Sequence, residues 1–177
     1  GAPPHVTVID VQSGNALHSF YAFDPAFKGG ISVSAGDFNN DGFKDIIVVS
    51  GPGARTHVKV FDSRDLTEIA SFYPFEASDN SNGGASASVG DVDGDGLKDL
   101  VIGAAPGNNP YVSIFDTGTL ALKKRFLAYD AAFLGGINVS AGDLKGDGVE
   151  EIAVGSNNTE AHVTVWSAKS GELLNSF

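Results

Sequence analysis

The chain has 177 residues, 42% of them apolar and 19% charged, a balance that fits one folded domain and excludes a disordered tail. Asp and Glu outnumber Lys and Arg by 22 to 11, a net charge of −11, which excludes phosphate backbones and anionic membrane surfaces as natural partners. The absence of cysteine removes disulfides, thiolate zinc sites and cysteine nucleophiles, and the longest apolar runs, four or five residues as at 46–49, are far too short to insert in a membrane.

The chain opens Gly1-Ala2-Pro3-Pro4, has no Met and shows no secretory apolar segment, so it is read as a processed chain or a piece excised from a longer one. His5-Val6-Thr7-Val8-Ile9 then alternates with a period of two, which predicts a strand. The same block returns as His57-Val58-Lys59-Val60-Phe61, Tyr111-Val112-Ser113-Ile114-Phe115 and His162-Val163-Thr164-Val165-Trp166. Each copy is followed eleven residues later by a phenylalanine: Phe20, Phe72, Phe126 and Phe177. Region 1–28 therefore reads as the last two strands of a unit whose complete form follows.

The first complete unit, 29–82, carries four short strands. Residues 31–36 alternate Ile, Val and Ala with Ser and Gly. After a polar loop, 45–49 is a continuous apolar run of the kind covered on both faces. Gly51-Pro52-Gly53 breaks the chain, 57–61 alternates again and 68–72 supplies the fourth strand. The second unit, 83–134, and the third, 135–177, repeat the order: Gly29-Gly30-Ile31 returns as Gly83-Gly84-Ala85 and Gly135-Gly136-Ile137, and the aspartates at 37, 91 and 143 are spaced by 54 and 52 residues. No apolar pattern of helical period appears. Four-stranded antiparallel units at this spacing predict an all-β fold of β-propeller blades. Three complete blades plus two strands are too few to close a ring, so the chain is expected to belong to a larger or oligomeric propeller and to self-associate through its uncovered faces.

Between the first two strands of each unit lies a nine-residue acidic loop. In Asp37-Phe38-Asn39-Asn40-Asp41-Gly42-Phe43-Lys44-Asp45, positions 1, 3, 5 and 9 offer side-chain oxygens and Gly42 permits the positive φ of a tight turn. A hard Ca²⁺ ion takes six to eight oxygens at about 2.3–2.6 Å, which this pattern suits. The expected ligands are Asp37, Asn39, Asp41, the Phe43 carbonyl and Asp45, and in the second loop Asp91, Asp93, Asp95, the Leu97 carbonyl and Asp99. In the third loop the corresponding residues are Asp143, Asp147, Val149 and Glu151, but Lys145 stands at position 3. That loop is expected to bind calcium weakly or not at all, with Lys145 pairing with Asp143 or Asp147. Position 12 is apolar in each loop (Val48, Ile102, Val154), which excludes an EF-hand.

The order Gly-x-Ser-Val, Gly-Asp, D-x-N-x-D-G-x-x-D, Ile-Val-x-Gly-x-Pro and a Val-x-Val-Phe strand resembles the FG-GAP repeats of integrin α-subunit propellers and related bacterial VCBS-type repeats; its most specific parts are 36–45 with 50–53 and 90–99 with 103–107. The resemblance implies a propeller with calcium in these loops, an extracellular, secreted or cell-surface setting, and ligand recognition on loops at a propeller face.

The expected metal role is structural, because one short loop supplies all the ligands. His5, His57 and His162 recur in register and are read as strand-end residues bonded to a neighbouring turn, not as catalysts. The aromatics Phe20, Phe23 and Phe27, with Phe126, Tyr129 and Phe133, are expected to pack between blades, and Trp166 in the core. Two sequons occur; Asn138 is placed on a buried strand, which leaves Asn157 as the glycan acceptor. The stretch 78–82 departs most from the repeat and is the expected place for a specific contact. No singular catalytic constellation is present, which favours a binding or scaffold module, in adhesion or glycan recognition, with a glycan or protein ligand. The alternative is the propeller, catalytic or accessory, of an extracellular polysaccharide lyase or hydrolase.

Overall fold

A computed structural model of the chain describes residues 1–75, 83–157 and 161–177. They form fourteen strands and no helix. Strands β1 (His5–Ile9) and β2 (Ala16–Tyr21) make a two-stranded antiparallel sheet. The first four-stranded sheet follows in simple up-and-down order: β3 (Ile31–Gly36), β4 (Asp45–Ser50), β5 (Val58–Phe61) and β6 (Glu68–Phe72). The second is β7 (Ala85–Gly90), β8 (Asp99–Ala104), β9 (Tyr111–Asp116) and β10 (Leu122–Leu127). The third is β11 (Ile137–Gly142), β12 (Glu151–Ser156), β13 (Val163–Trp166) and β14 (Leu173–Ser176). These are the predicted blades, with β1–β2 forming a separate two-stranded sheet ahead of them.

The sheets stack face to face, which explains the continuous apolar runs. Along β4, alternate side chains point to opposite faces. Ile46 and Val48 therefore pack on Val6, Ala22 and Phe61, while Ile47 and Val49 pack on Leu100, Ile102 and Phe115 of the second blade. In the same way β8 sends Leu100 and Ile102 back to the first blade and Val101 forward to Ile137, Ile152 and Val154 of the third. The second strands β4 and β8 thus each serve two interfaces, which leaves no face for polar residues along their apolar runs.

The first strands β3, β7 and β11 lie side by side. Serines of β7 join it to β11: Ser86 Oγ donates to the Ile137 carbonyl (3.1 Å) and accepts from Val139 N–H (3.1 Å), and Ser88 Oγ accepts from Ala141 N–H (3.0 Å). The glycines that close β3 and β7 have a packing reason. A Cβ on Gly36 would sit 2.5 Å from Val89 Cβ, and one on Gly90 2.7 Å from Ala141 Cβ.

Aromatic pairs mark successive interfaces at one register: Phe20 with Phe61 at 5.0 Å between ring centroids, Phe72 with Phe115 at 5.9 Å, and Phe126 with Trp166 at 5.0 Å. Trp166 is partly buried against the core that joins the second and third blades, as are Phe126, Tyr129 and Phe133. The histidines are bonded across strands and not to turns: His5, His57 and His162 Nε2 meet Ser19, Ser71 and Ser176 Oγ at 3.1, 2.9 and 2.7 Å. Where Tyr111 replaces histidine, Arg125 replaces the serine and stacks its guanidinium over the ring at 3.9 Å. Asn138 corrects its expected burial. It is exposed, because it points to the side of the third blade that no further sheet covers, and its Nδ2 donates to Asn157 Oδ1. The stretch 78–82 lies outside the described residues.

Candidate metal centres

The three acidic loops occupy one rim of the stacked blades, each joining a blade's first strand to its second. Their backbone is set by two left-handed residues, at positions 4 and 6: Asn40 (φ 60°) and Gly42 (88°), Gly94 (78°) and Gly96 (87°), Gly146 (74°) and Gly148 (86°). Position 6 was legible as glycine. Position 4 was not singled out, although Asn and Gly are the residues that tolerate this conformation. The turn folds N–H groups back onto the first aspartate. Asp37 accepts from Asp41 and Gly42, Asp91 from Gly94 and Gly96, and Asp143 from Gly146, Asp147 and Gly148, at 2.7–3.1 Å. The Gly148 N–H above all holds the Asp143 carboxyl below the usual range.

Position 9 is where the loops differ. Asp45, Asp99 and Glu151 open the second strands and are all but fully buried. One oxygen of each accepts from the N–H of position 2: Phe38 to Asp45 at 2.9 Å, Val92 to Asp99 at 3.3 Å, Leu144 to Glu151 at 3.1 Å. The second oxygen has three different fates. Asp45 Oδ1 is buried with no hydrogen-bond partner. Asp99 Oδ1 accepts from Lys123 Nζ at 2.9 Å, and Glu151 Oε1 pairs with Lys145 at 2.9 Å. Burial pushes the Asp45 and Asp99 carboxyls above the ordinary carboxylate range, so each ionised form calls for a cation.

In the second loop, carboxylate oxygens of Asp91, Asp93 and Asp99 lie within 4.8 Å of one another. Asp95 stands at the edge of this group, its Oδ1 accepting from Leu97 N–H (2.8 Å) and its Oδ2 from Lys123 (3.1 Å). In the first loop Asn39 Nδ2 donates to Asp41 Oδ2 (3.1 Å), and Asp41 also meets Arg64 at 2.6 Å. Arg64 simultaneously pairs with Asp62 and stacks over Phe43. The oxygen-only donor sets of the first two loops fit a hard divalent cation, and the orphaned buried oxygen of Asp45 is the strongest single mark of one. The third loop does not fit, because Lys145 replaces the oxygen ligand at position 3 and its ammonium sits on the ninth-position carboxylate. The expected pairing of Lys145 with Asp143 or Asp147 is thereby corrected: Glu151 offers the buried, otherwise unsatisfied oxygen and so attracts the charge.

Neighbouring loops are also tied together. Asn40 Oδ1 accepts from Lys98 N–H (3.1 Å), Lys98 Nζ pairs with Glu150 (2.7 Å), and Glu150 N–H donates to the Asp91 carbonyl (2.8 Å). Lys98, Lys123, Arg64 and Glu150 were not visible as site residues, since their approach depends on how blades and strands stack.

The family model described as "FG-GAP-like repeat" matches residues 37–102 and again 91–154, each match beginning on the first aspartate of a loop. The chain belongs to the FG-GAP-like repeat family. Relatives of this FG-GAP-like chain include integrin alpha-8 of Gallus gallus, 29% identical over 143 residues that cover 72% of the chain, and integrin alpha-V of Gallus gallus, 28% identical over 148 residues that cover 75%. The match spans 14% of each integrin's own length. A chain in a crystal structure of the mitotic checkpoint complex superposes with a TM-score of 0.61 at 18% identity, covering 99% of this chain and 45% of that one. That likeness shows the shared blade architecture alone.

Proposed function

We propose that this chain is a calcium-clipped segment of a β-propeller that works outside the cell, secreted or on its surface, as a binding and scaffold module for a protein or glycan ligand in adhesion. The carrying observation is the buried, unpartnered Asp45 Oδ1 at the base of an oxygen-lined loop, in a member of a family whose relatives include integrin alpha chains. Asp37, Asn39, Asp41, Asp45 and the Phe43 carbonyl would hold one ion. Asp91, Asp93, Asp95, Asp99 and the Leu97 carbonyl would hold a second. The ion supplies positive charge that lets clustered carboxylates stay ionised and fixes the turn between a blade's first two strands. Loop sites of modest affinity fill at extracellular calcium levels, which supports the assigned location.

Further blades of the same type would cover the two uncovered flanks, where Val33 is 56% exposed on one side and Phe177 69% on the other. Propellers occur as such series because a single blade leaves two apolar faces bare.

The metal reading is tested by thermal unfolding in Ca²⁺ and in chelator, with elemental analysis. At about 100 times Kd each filled site adds roughly 2.7 kcal/mol. An unchanged midpoint with no calcium in the protein would sink it. Ligand class is tested on arrays of glycans and of immobilised extracellular proteins. Saturable binding without turnover supports a binding module; cleavage of an arrayed polysaccharide assigns the propeller to an enzyme instead.

A further inference from the structure

Lys123 has no counterpart in the other blades. Each outer strand carries a β-bulge opposite its partner's end, and the extra residue is Leu17 in β2, Ile69 in β6, Lys123 in β10 and Leu174 in β14. A bulge re-aims the side chain it inserts. In the second blade it delivers an ammonium into the acidic loop, with Nζ 2.5 Å from Asp93, 3.1 Å from Asp95 and 2.9 Å from Asp99. Two of these three carboxylates, Asp93 and Asp99, belong to the group whose oxygens converge. The first loop receives nothing comparable: Arg64 reaches Asp41 but leaves Asp45 Oδ1 bare.

We infer that Lys123 is the exchangeable counter-cation of the second loop, holding Asp93, Asp95 and Asp99 together in the metal-free protein and withdrawing when a divalent cation binds. This rests on the metal reading above and adds a regulation to it. An ammonium and a divalent ion cannot occupy the same oxygens, since like charges a few ångströms apart repel strongly. A cleft of about 380 Å³ beside the loop, lined in part by Asp93, Gly94, Asp95, Lys124 and Lys169, gives the ion an approach and the displaced side chain somewhere to go. The second loop therefore keeps its shape under chelation and binds calcium more weakly than the first. A site whose ligands are engaged nine-tenths of the time binds about tenfold more weakly than the same site left free.

The test is Lys123→Met, with Lys123→Arg as a charge-retaining companion, in calcium titration calorimetry and in thermal unfolding in chelator and in Ca²⁺. In the wild type two binding steps are expected. In Lys123→Met the weaker step tightens about tenfold or more while the stronger is unmoved, and the midpoint falls in chelator but recovers in calcium. Lys123→Arg keeps the chelator midpoint near that of the wild type. A weaker step unchanged in Lys123→Met beside an intact strong step overturns the exchange alone, as does a chelator midpoint equal to that of the wild type. No calcium heat in any of the proteins overturns the metal reading and the exchange with it.

Discussion

The forward side of the third blade and the same side of the first two blades are built from corresponding residues and end in opposite environments. Position 2 of the acidic loop shows it most directly. Phe38 and Val92 are buried under the next blade at 4% and 0% exposure, while Leu144 stands 63% exposed. A Cβ on Gly36, Gly90 or Gly103 would collide with the next blade, whereas one on Gly142 or Gly155 would meet nothing within 4 Å. The lesson is that a metal loop here is half of an interface. Its polar side gathers oxygens, and its second residue latches into the neighbouring sheet.

Substitution at that latch is the harshest way to break the comparison. Phe38→Ala should cost about 3–5 kcal/mol in urea unfolding, the usual range for emptying a buried phenylalanine site. Leu144→Ala should stay within about 0.5 kcal/mol, as exposed positions do. Equal losses would mean that the forward face of the third blade is covered in solution.

Next in size is the ion. Asp45→Asn should remove most of the calcium-dependent gain of the first loop, about 2.7 kcal/mol at 100 times Kd. Lys145→Asn should do the reverse, creating a third calorimetric binding step. A third step that fails to appear would show that the exposed loop needs a neighbouring blade, and not merely an oxygen at position 3, to bind.

Crowding at the strand ends sharpens the contrast further. Gly36→Ala should destabilise by about 1–3 kcal/mol through overpacking against Val89. Gly142→Ala should be neutral in the same unfolding measurement.

The smallest expected effect lies on the exposed rim of the first blade. Hydrogen bonds from Arg64 lower the Asp62 carboxyl from 3.8 to about 2. A depressed carboxylate contributes stability that is present above its unfolded value and disappears as pH falls through the folded one. In Arg64→Ala stability should therefore be lower at all pH values above about 4, and the difference from the wild type should vanish as pH falls from about 4 to about 2 in a stability–pH profile. The loss at neutral pH should be small, because the Arg64 guanidinium is half exposed and solvent screens the pair.

Blade order, strand positions and the acidic loops were legible because each is local. Alternation at 31–36, the apolar run at 46–49 and the glycine at position 6 record demands made by a residue's immediate chain neighbours. The loops' charge completion was not legible in that way. Lys145 was visible as an intruder, yet its partner proved to be Glu151, the one carboxylate with a buried oxygen to satisfy. Asn138 was expected to be buried because its strand reads as a buried one, and its exposure follows from the absence of a covering sheet on that side among the described residues.

The sequence by itself determined the repeating unit, the four-stranded antiparallel order within it and the oxygen-rich turn, because side-chain alternation and turn geometry act over a few residues. Only the tertiary structure decided which cation, if any, reaches each ninth-position carboxylate. Lys123 approaches Asp99 from two strands and 24 residues away, and no local pattern encodes a charge carried in by a bulge on the far edge of a sheet.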